Sequence, residues 1–165
     1  MRRVSPRVRL ALSGALVLVL QAGAWTAASA ADKVRISDLV DVQLGQLAMD
    51  GMDVRSSQNI CLYSGSRTGS YSVSASTGTG AQFELQSPSG NLPFEVQWAD
   101  SANRTSGQQL VAGTARSGFV STANNHSCNN SPAAASLIVL LRAFEIERAT
   151  AGSYSGQLTL IIAPM

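Results

Sequence analysis

Apolar and polar residues alternate along most of the chain after residue 33, and the period of two is typical of half-buried β-strands. The clearest run places Leu92, Phe94, Val96 and Trp98 on one face and predicts a single strand. Alternation also predicts strands in these segments: Val34–Leu44, Ile60–Leu62, Tyr71–Ala75, Phe83–Leu85, Phe144–Ile146 and Tyr154–Ala163. Two shorter strands are predicted at Gln109–Val111 and Gly118–Ser121.

One segment is apolar without alternation. The run Ser136–Leu141 predicts a strand buried on both faces, and the alanines before it leave a short helix as the alternative. Turn-forming clusters such as Ser87–Asn91 separate the runs, and Asn124–Pro132 is predicted to be a loop. Seven to nine short strands at this spacing predict an all-β fold, a β-sandwich in one domain.

The first thirty residues have a different pattern, that of an export signal. Four arginines precede an apolar stretch, and the small residues Ala28-Ser29-Ala30 follow it. The apolar stretch is shorter than the roughly 20 residues that span a bilayer, which disfavours a retained anchor. We therefore expect cleavage between Ala30 and Ala31, leaving residues 31–165 as an exported domain that does not span a membrane.

Charge excludes one class of function. The whole chain has 12 basic and 10 acidic residues, but four of those 12 are the arginines of the leader, which leaves eight basic residues against 10 acidic ones. A mildly acidic domain lacks the positive surface that neutralises phosphates, so we expect no nucleic-acid partner.

Export changes how the two cysteines are interpreted. An even pair in an exported domain predicts a disulfide between Cys61 and Cys128, which would close a loop of about 67 residues. Two free thiols or a redox pair are the alternative, which the lack of a C-x-x-C motif disfavours.

Residues that carry chemistry are few. His126 is the one histidine, and it lies in the predicted loop two residues before Cys128. Glu145 and Glu147 are predicted to share the solvent face of a strand, and Asp38 with Asp41 provides too few oxygen ligands for a calcium loop. The pattern predicts no catalytic site, no cofactor and no metal, and thus a structural or binding protein rather than an enzyme.

The C-terminal segment resembles a known family. Ala151-Gly152-Ser153-Tyr154, followed by an alternating strand to Pro164, is similar to the ending of proteins of the spore coat protein U domain family. Further segments resemble strands of that family: Asp41–Gly45, Asn59–Tyr63 with its Cys61 followed by Gly69–Val73, and Leu92–Val96.

The family includes subunits of archaic, Csu-like chaperone–usher pili. The resemblance implies an immunoglobulin-like sandwich that lacks its last strand and has a hydrophobic groove beside the C-terminal strand. The implied partners are a periplasmic chaperone, an usher and a neighbouring subunit, whose strand would fill the groove. Tyr154, Leu158, Leu160 and Ile162 are the expected groove residues. The implied location is the periplasm in transit and then the cell surface.

Two features depart from the family pattern. Only Ala31-Asp32-Lys33 would precede the first strand, so either Val34–Leu44 is itself the donor strand or the subunit has no donor and lies at a fibre end. The family's early cysteine is also missing. A complete sandwich that binds a carbohydrate or a surface protein through the polar loops between Ala99 and Pro132 remains the alternative function.

Overall fold

The computed structural model describes residues 33–78, 82–125 and 134–165. The predicted leader, its cleavage position at Ala30 and Ala31, and the loop with His126 and Cys128 lie outside these residues. The elements are β1 (Val34–Ser37), β2 (Val54–Ser64), β3 (Ser70–Thr77), β4 (Glu84–Ser87), β5 (Gly90–Pro93), β6 (Glu95–Ala99), β7 (Gln108–Gln109), β8 (Arg116–Val120), β9 (Ala135–Leu141), α1 (Ala143–Arg148) and β10 (Leu158–Pro164).

The strands form two facing sheets and a hairpin. One sheet has the order β1-β2-β9-β6-β7, the other has the order β10-β3-β8, and β4 pairs with β5. All these pairs are antiparallel. The chain thus folds as the predicted immunoglobulin-like β-sandwich.

The main core lies between the two sheets. It combines inward-facing residues of β2, such as Ile60 and Leu62, with Tyr71 and Val73 of β3, and all four are fully buried. The five-stranded sheet also contributes Trp98, whose indole N–H donates to the hydroxyl of Tyr71 at 3.0 Å. Burial raises the pKa of Tyr71 to about 12 although the hydrogen bond from the indole acts to lower it, so this hydroxyl stays neutral.

Strand β9 is the central strand of the larger sheet. All seven of its residues are buried, between β2 on one side and β6 on the other. An apolar run without alternation is therefore a strand covered on both faces, and the helix alternative for this segment is wrong.

A second core cluster lies around Leu92, Leu141 and Ile146, where the chain turns from β9 into α1. The guanidinium of Arg142 binds both carboxylate oxygens of Glu95, at 2.8 and 3.0 Å, and one oxygen of Asp53 at 3.0 Å. The other oxygen of Asp53 accepts the backbone N–H of Ala143 at 2.9 Å and so caps the first turn of the helix.

Three predicted strands differ from the observed elements, one of them entirely. Residues 38–53 contain no strand, since the backbone turns at Asp38 (φ 65°) and again at Gly45 (φ 70°). The segment 143–148 is a helix, where Ile146 is buried and Phe144 is exposed. The run from Leu92 to Trp98 is two strands, because Phe94 breaks the ladder and packs against both clusters.

Candidate functional site

Strand β10 lies at the edge of the three-stranded sheet. It pairs with β3 along its whole length, from Leu158 opposite Thr77 to Pro164 opposite Tyr71. Among the described residues no strand pairs with its other edge. One row of its backbone N–H and C=O groups is thus available to an additional strand.

The inward face of β10 is apolar and only partly covered. Leu158, Leu160 and Ile162 alternate with exposed residues and pack against the main core while remaining half-buried. The inward residues of the paired strand β3, in contrast, are fully buried. The three side chains of β10 are thus partly open to solvent at the free edge of the sheet, and we take them as one wall of an apolar groove.

Strand β1 forms the opposite wall. It is the edge strand of the five-stranded sheet, where it pairs with the end of β2, and it lies beside β10. Ile36 of β1 is half-buried against the same core. We call the space between β1 and β10, walled by Ile36, Leu158, Leu160 and Ile162, the edge groove.

The other side of the sandwich is closed. The segment after β7 crosses from one sheet to the other, and its backbone N–H groups bond first to Val96 (Leu110, 2.8 Å) and then to Ala75 (Gly113, 2.8 Å). Arg116 of β8 also donates to the side chain of Gln108, at 2.6 Å. The segment after β7 therefore links the two sheets on this side of the sandwich, and on the other side β1 lies beside β10.

The structure brings together three of the four predicted groove residues. Tyr154 precedes β10 and packs against the second cluster, with its hydroxyl donating to the carbonyl of Thr150 at 2.7 Å. Sequence reasoning missed Ile36 as a groove residue. Its place in the alternation of Val34–Leu44 was visible, but the pairing that brings β1 beside β10 was not.

The other predicted positions lie away from the groove. Cys61 is buried on β2, and its predicted partner Cys128 is outside the described residues, so the bridge stays a prediction. Glu145 and Glu147 lie on α1, and Asp38 and Asp41 are exposed. Within the described ranges no cluster of three or more His, Cys, Asp or Glu side chains could hold a metal ion.

The polar loop 100–107 is held firmly against the outer face of the larger sheet. Asn59 of β2 exchanges two hydrogen bonds of 2.7 Å with Asn103, and the hydroxyl of Ser136 on β9 bonds the backbone of Ser101 and Arg104. A cavity of about 260 Å³ opens beside this loop. Its lining residues are Trp98, Ala99, Asp100, Ser101, Arg104, Ser106, Gly107, Gln108 and Phe119.

No helix among residues 33–78, 82–125 and 134–165 has the length and apolar character needed to cross a bilayer.

Two solved structures resemble this sandwich. One belongs to a chaperone–tip adhesin complex of CFA/I fimbriae biogenesis, with a TM-score of 0.54 and 18% identity over 82% of this chain. The other is the P pilus rod subunit PapA, with a TM-score of 0.51 and 13% identity over 86% of this chain. The fold of this chain is similar to that of pilus subunits.

The extent of each match differs. The chain spans 42% of the length of the first structure and 97% of that of PapA. No family model matches the sequence, and no curated protein does. The likeness therefore establishes the fold, while the resemblance to the spore coat protein U domain family rests on the sequence motifs quoted above.

Proposed function

We propose that this chain is an exported subunit of a chaperone–usher type surface fibre, and that a strand from another chain docks in the edge groove. The observation that supports it best is the combination on β10 of an unpaired backbone edge with three half-exposed apolar side chains. Added strands bind through main-chain hydrogen bonds and gain specificity from alternate side chains. An apolar strand edge without such a cover is an aggregation hazard.

The order of events follows from that groove. A periplasmic chaperone first lends a strand to the exported chain, and the usher then exchanges it for a strand of the next subunit. The fold shared with PapA and with a chain of a chaperone–tip adhesin complex supports these partners. Cleavage between Ala30 and Ala31 remains part of the proposal, and the intact mass of the exported protein measures it.

The role of Val34–Leu44 as a donor is less well supported. Residues 34–37 pair with β2 of their own chain, from Val34 opposite Ser64 to Ser37 opposite Cys61. Donation to a neighbour would require β1 to leave this ladder. We therefore propose that this segment serves its own sandwich as a wall of the groove.

The test uses two adjacent residues of β10 that face opposite ways. Leu160 points into the groove, whereas Ile161 is 60% exposed on the outer face. The full chain is exported with its leader, and binding of a synthetic peptide of about ten residues, with valine and threonine alternating, is measured by fluorescence anisotropy. We expect wild type and Ile161→Asp to bind the peptide and Leu160→Asp to lose binding.

The same variants are then compared in the native cell. Multimers of the subunit on unheated gels should persist with Ile161→Asp and disappear with Leu160→Asp. A wild-type protein that is a stable monomer, binds no peptide and forms no multimers would contradict the proposal.

The hydrogen-bonded loop 100–107 supports a second candidate function. The cavity beside Arg104 and Asp100 would bind a carbohydrate or a surface-protein ligand. The loop is fixed before any ligand arrives, as expected of a recognition loop on a rigid scaffold. Binding of the exported protein to a glycan array, with Arg104→Ala as the comparison, tests this. Equal signals from both proteins would exclude the cavity as the site.

A further inference from the structure

The end of the sandwich at which β2 begins has exposed apolar side chains. Phe144 of α1 and two methionines just before β2, Met49 and Met52, are each more than half exposed. Scattered exposed apolar residues are ordinary, but neighbouring ones mark an interaction surface. We call these three residues the end patch, and the end of the sandwich on which they lie the α1 end.

The segment before β2 lies against α1. A carboxylate oxygen of Asp53 accepts the first backbone N–H of the helix at 2.9 Å. Gly51 also lies near the helix, since a Cβ atom added there would be 3.9 Å from Oε1 of Glu147. Met52 lies between these two contacts, and Phe144 is the second residue of the helix. The exposed side chains of the segment and of the helix therefore belong to one surface.

Acidic side chains outnumber basic ones at the α1 end. The ion pairs of Arg142 with Glu95 and Asp53 neutralise the guanidinium and leave one negative charge. The ionisable residues of segments 49–55 and 142–148, together with Glu95, are five acidic and three basic ones: Asp50, Asp53, Glu95, Glu145, Glu147, Arg55, Arg142 and Arg148. This part of the α1 end thus has a net charge of −2 beside the end patch.

The opposite end of the sandwich is basic. Strand β2 runs from the α1 end to the turn 65–69, and its eleven residues span about 33 Å. Lys33 lies at this second end, because its carbonyl accepts the backbone N–H of Gly65 at 2.8 Å. Arg67 is exposed in the turn, and Arg35 is exposed near the start of β1. We call this end the Lys33 end.

One acidic and one apolar side chain lie near these three basic residues. Asp100 accepts the backbone N–H of Val120 at 3.4 Å, and Val120 pairs with Ser70. Three basic side chains against one acidic one give the described part of this end a net charge of +2. Met165 is exposed there, with its N–H bonded to the carbonyl of Ser70 at 3.0 Å. The methylene stems of the basic side chains add further apolar surface.

We propose that copies of this chain meet end to end, with the end patch of one copy against the Lys33 end of the next. The two surfaces have opposite charge, and both have exposed apolar side chains. Two α1 ends that met symmetrically would instead bring like charges together. A contact between opposite ends of identical chains is heterologous and extends into a linear fibre.

This inference rests on the proposed function. A contact confined to one end of a small sandwich is below the size of interfaces that are stable alone. A docked strand that holds two copies together raises the effective concentration of the two ends and makes a weak contact persist. The end contact would then fix the angle between successive subunits, which a strand in the edge groove leaves free.

The experiment uses the single lysine of the chain. Lys33 is the only lysine in the sequence, and the α-amino group of a chain cleaved after Ala30 would lie two residues before it. A carbodiimide joins an amine to a carboxylate without a spacer. Because the two ends of one sandwich are about 33 Å apart, a bond from Lys33 to Asp50, Glu145 or Glu147 forms only between copies.

Multimers of the exported full chain, collected from the native cell, are treated with the carbodiimide, and the joined peptides are identified by mass spectrometry. We expect Lys33 to be joined to the carboxylates of the α1 end. Met52→Arg places a positive charge in the end patch, against the basic surface, and should lower the yield about tenfold. Val111→Arg makes the same change at an equally exposed position in the segment after β7 and should leave the yield unchanged.

A charge exchange tests the pairing of the two ends. Arg67→Glu and Glu147→Arg should each lower the yield about twofold to fivefold, as expected for exposed ion pairs. The double variant restores opposite charges across the contact and should recover most of the wild-type yield at Asp50 and Glu145. Recovery in the double variant separates a direct contact from damage to the fold.

The outcomes distinguish the two proposals. If multimers form but Lys33 is joined to no carboxylate of the α1 end, or equally well in Met52→Arg, the end contact is overturned and strand docking stands. Joining of Lys33 mainly to a different protein overturns it as well. If wild type forms no multimers, the proposed function and the end contact fail together.

Discussion

At the scale of single residues, the contact between Tyr71 and Trp98 joins the two sheets through a polar bond in an apolar core. Both side chains are fully buried, and their rings meet edge to face with centroids 6.5 Å apart. Tyr71→Phe keeps the ring and leaves the indole N–H without its acceptor. We expect a loss of about 1–3 kcal/mol in the free energy of unfolding, measured by urea titration.

The dependence of stability on alkaline pH provides a second test of the same substitution. The pKa of Tyr71 is raised to about 12 in the folded protein, against about 10 in the unfolded chain. Its contribution to stability is therefore complete below pH 10 and is lost as pH rises towards 12. Tyr71→Phe should flatten this decline, which urea midpoints measured between about pH 9 and pH 12 would show.

Asp53 is predicted to make the free energy of unfolding fall as the pH becomes acidic. Its pKa is lowered, chiefly by the hydrogen bond from the backbone N–H of Ala143 and also by Arg142. A carboxyl with a lowered native pKa stabilises the fold above its ordinary pKa, and the contribution is lost as pH falls through the native value.

Asp53→Asn tests this directly. The variant should be less stable than wild type at neutral pH and should lose less stability on acidification, as urea midpoints between about pH 7 and pH 2 would show. Asp41→Asn, an exposed position, is the matched control. Parallel pH profiles for wild type and Asp53→Asn would contradict the assignment.

At the scale of elements, β9 and β10 differ in how far neighbouring strands bury their side chains. Ile138 of β9 is fully buried between two partner strands, whereas Ile161 of β10 faces outward. Ile138→Ala should cost about 2–5 kcal/mol through lost burial and the cavity left behind. Ile161→Ala should cost less than about 0.5 kcal/mol in the same denaturation assay. Similar losses would mean that the outer face of β10 is covered.

The sequence predicts an element well where its residue pattern and its neighbours agree. The alternation of β3 and the continuous apolar run of β9 both became strands, because each lies between two partners in its sheet. The alternation of Val42 and Leu44 was equally clear, yet no described strand pairs with this segment. Alternation records which side chains face the core and does not show whether a partner strand is present.

The helix α1 was missed for a related reason. Six residues are too few to distinguish a turn of helix from a strand by periodicity, and Arg142 at its N-terminal end provides no side-chain cap. The cap comes from Asp53, which lies 90 residues earlier in the chain. The groove was predicted only in part for the same reason, since β10 was visible in the sequence and the position of β1 beside it was not.

At the scale of the whole molecule, the predicted bridge between Cys61 and Cys128 would tie β2 to the segment before β9. Closing a loop of about 67 residues stabilises the folded state by about 4 kcal/mol in the chain-entropy model. We expect the exported protein to gain two hydrogens in intact mass on reduction and to unfold at a lower urea concentration. Labelling of two thiols under native, oxidising conditions would contradict the bridge.

The position of β10 at the edge of its sheet also determines how its backbone meets water. In an antiparallel ladder, successive N–H groups point alternately to the partner strand and away from it. Amide hydrogen exchange along β10 should therefore alternate between slow and fast from residue to residue, with the slow amides bonded to β3. A docked strand would slow the fast amides as well. Loss of the alternation would therefore show, residue by residue, which part of the groove is occupied. Neither a binding affinity nor an intact mass gives this residue-level information.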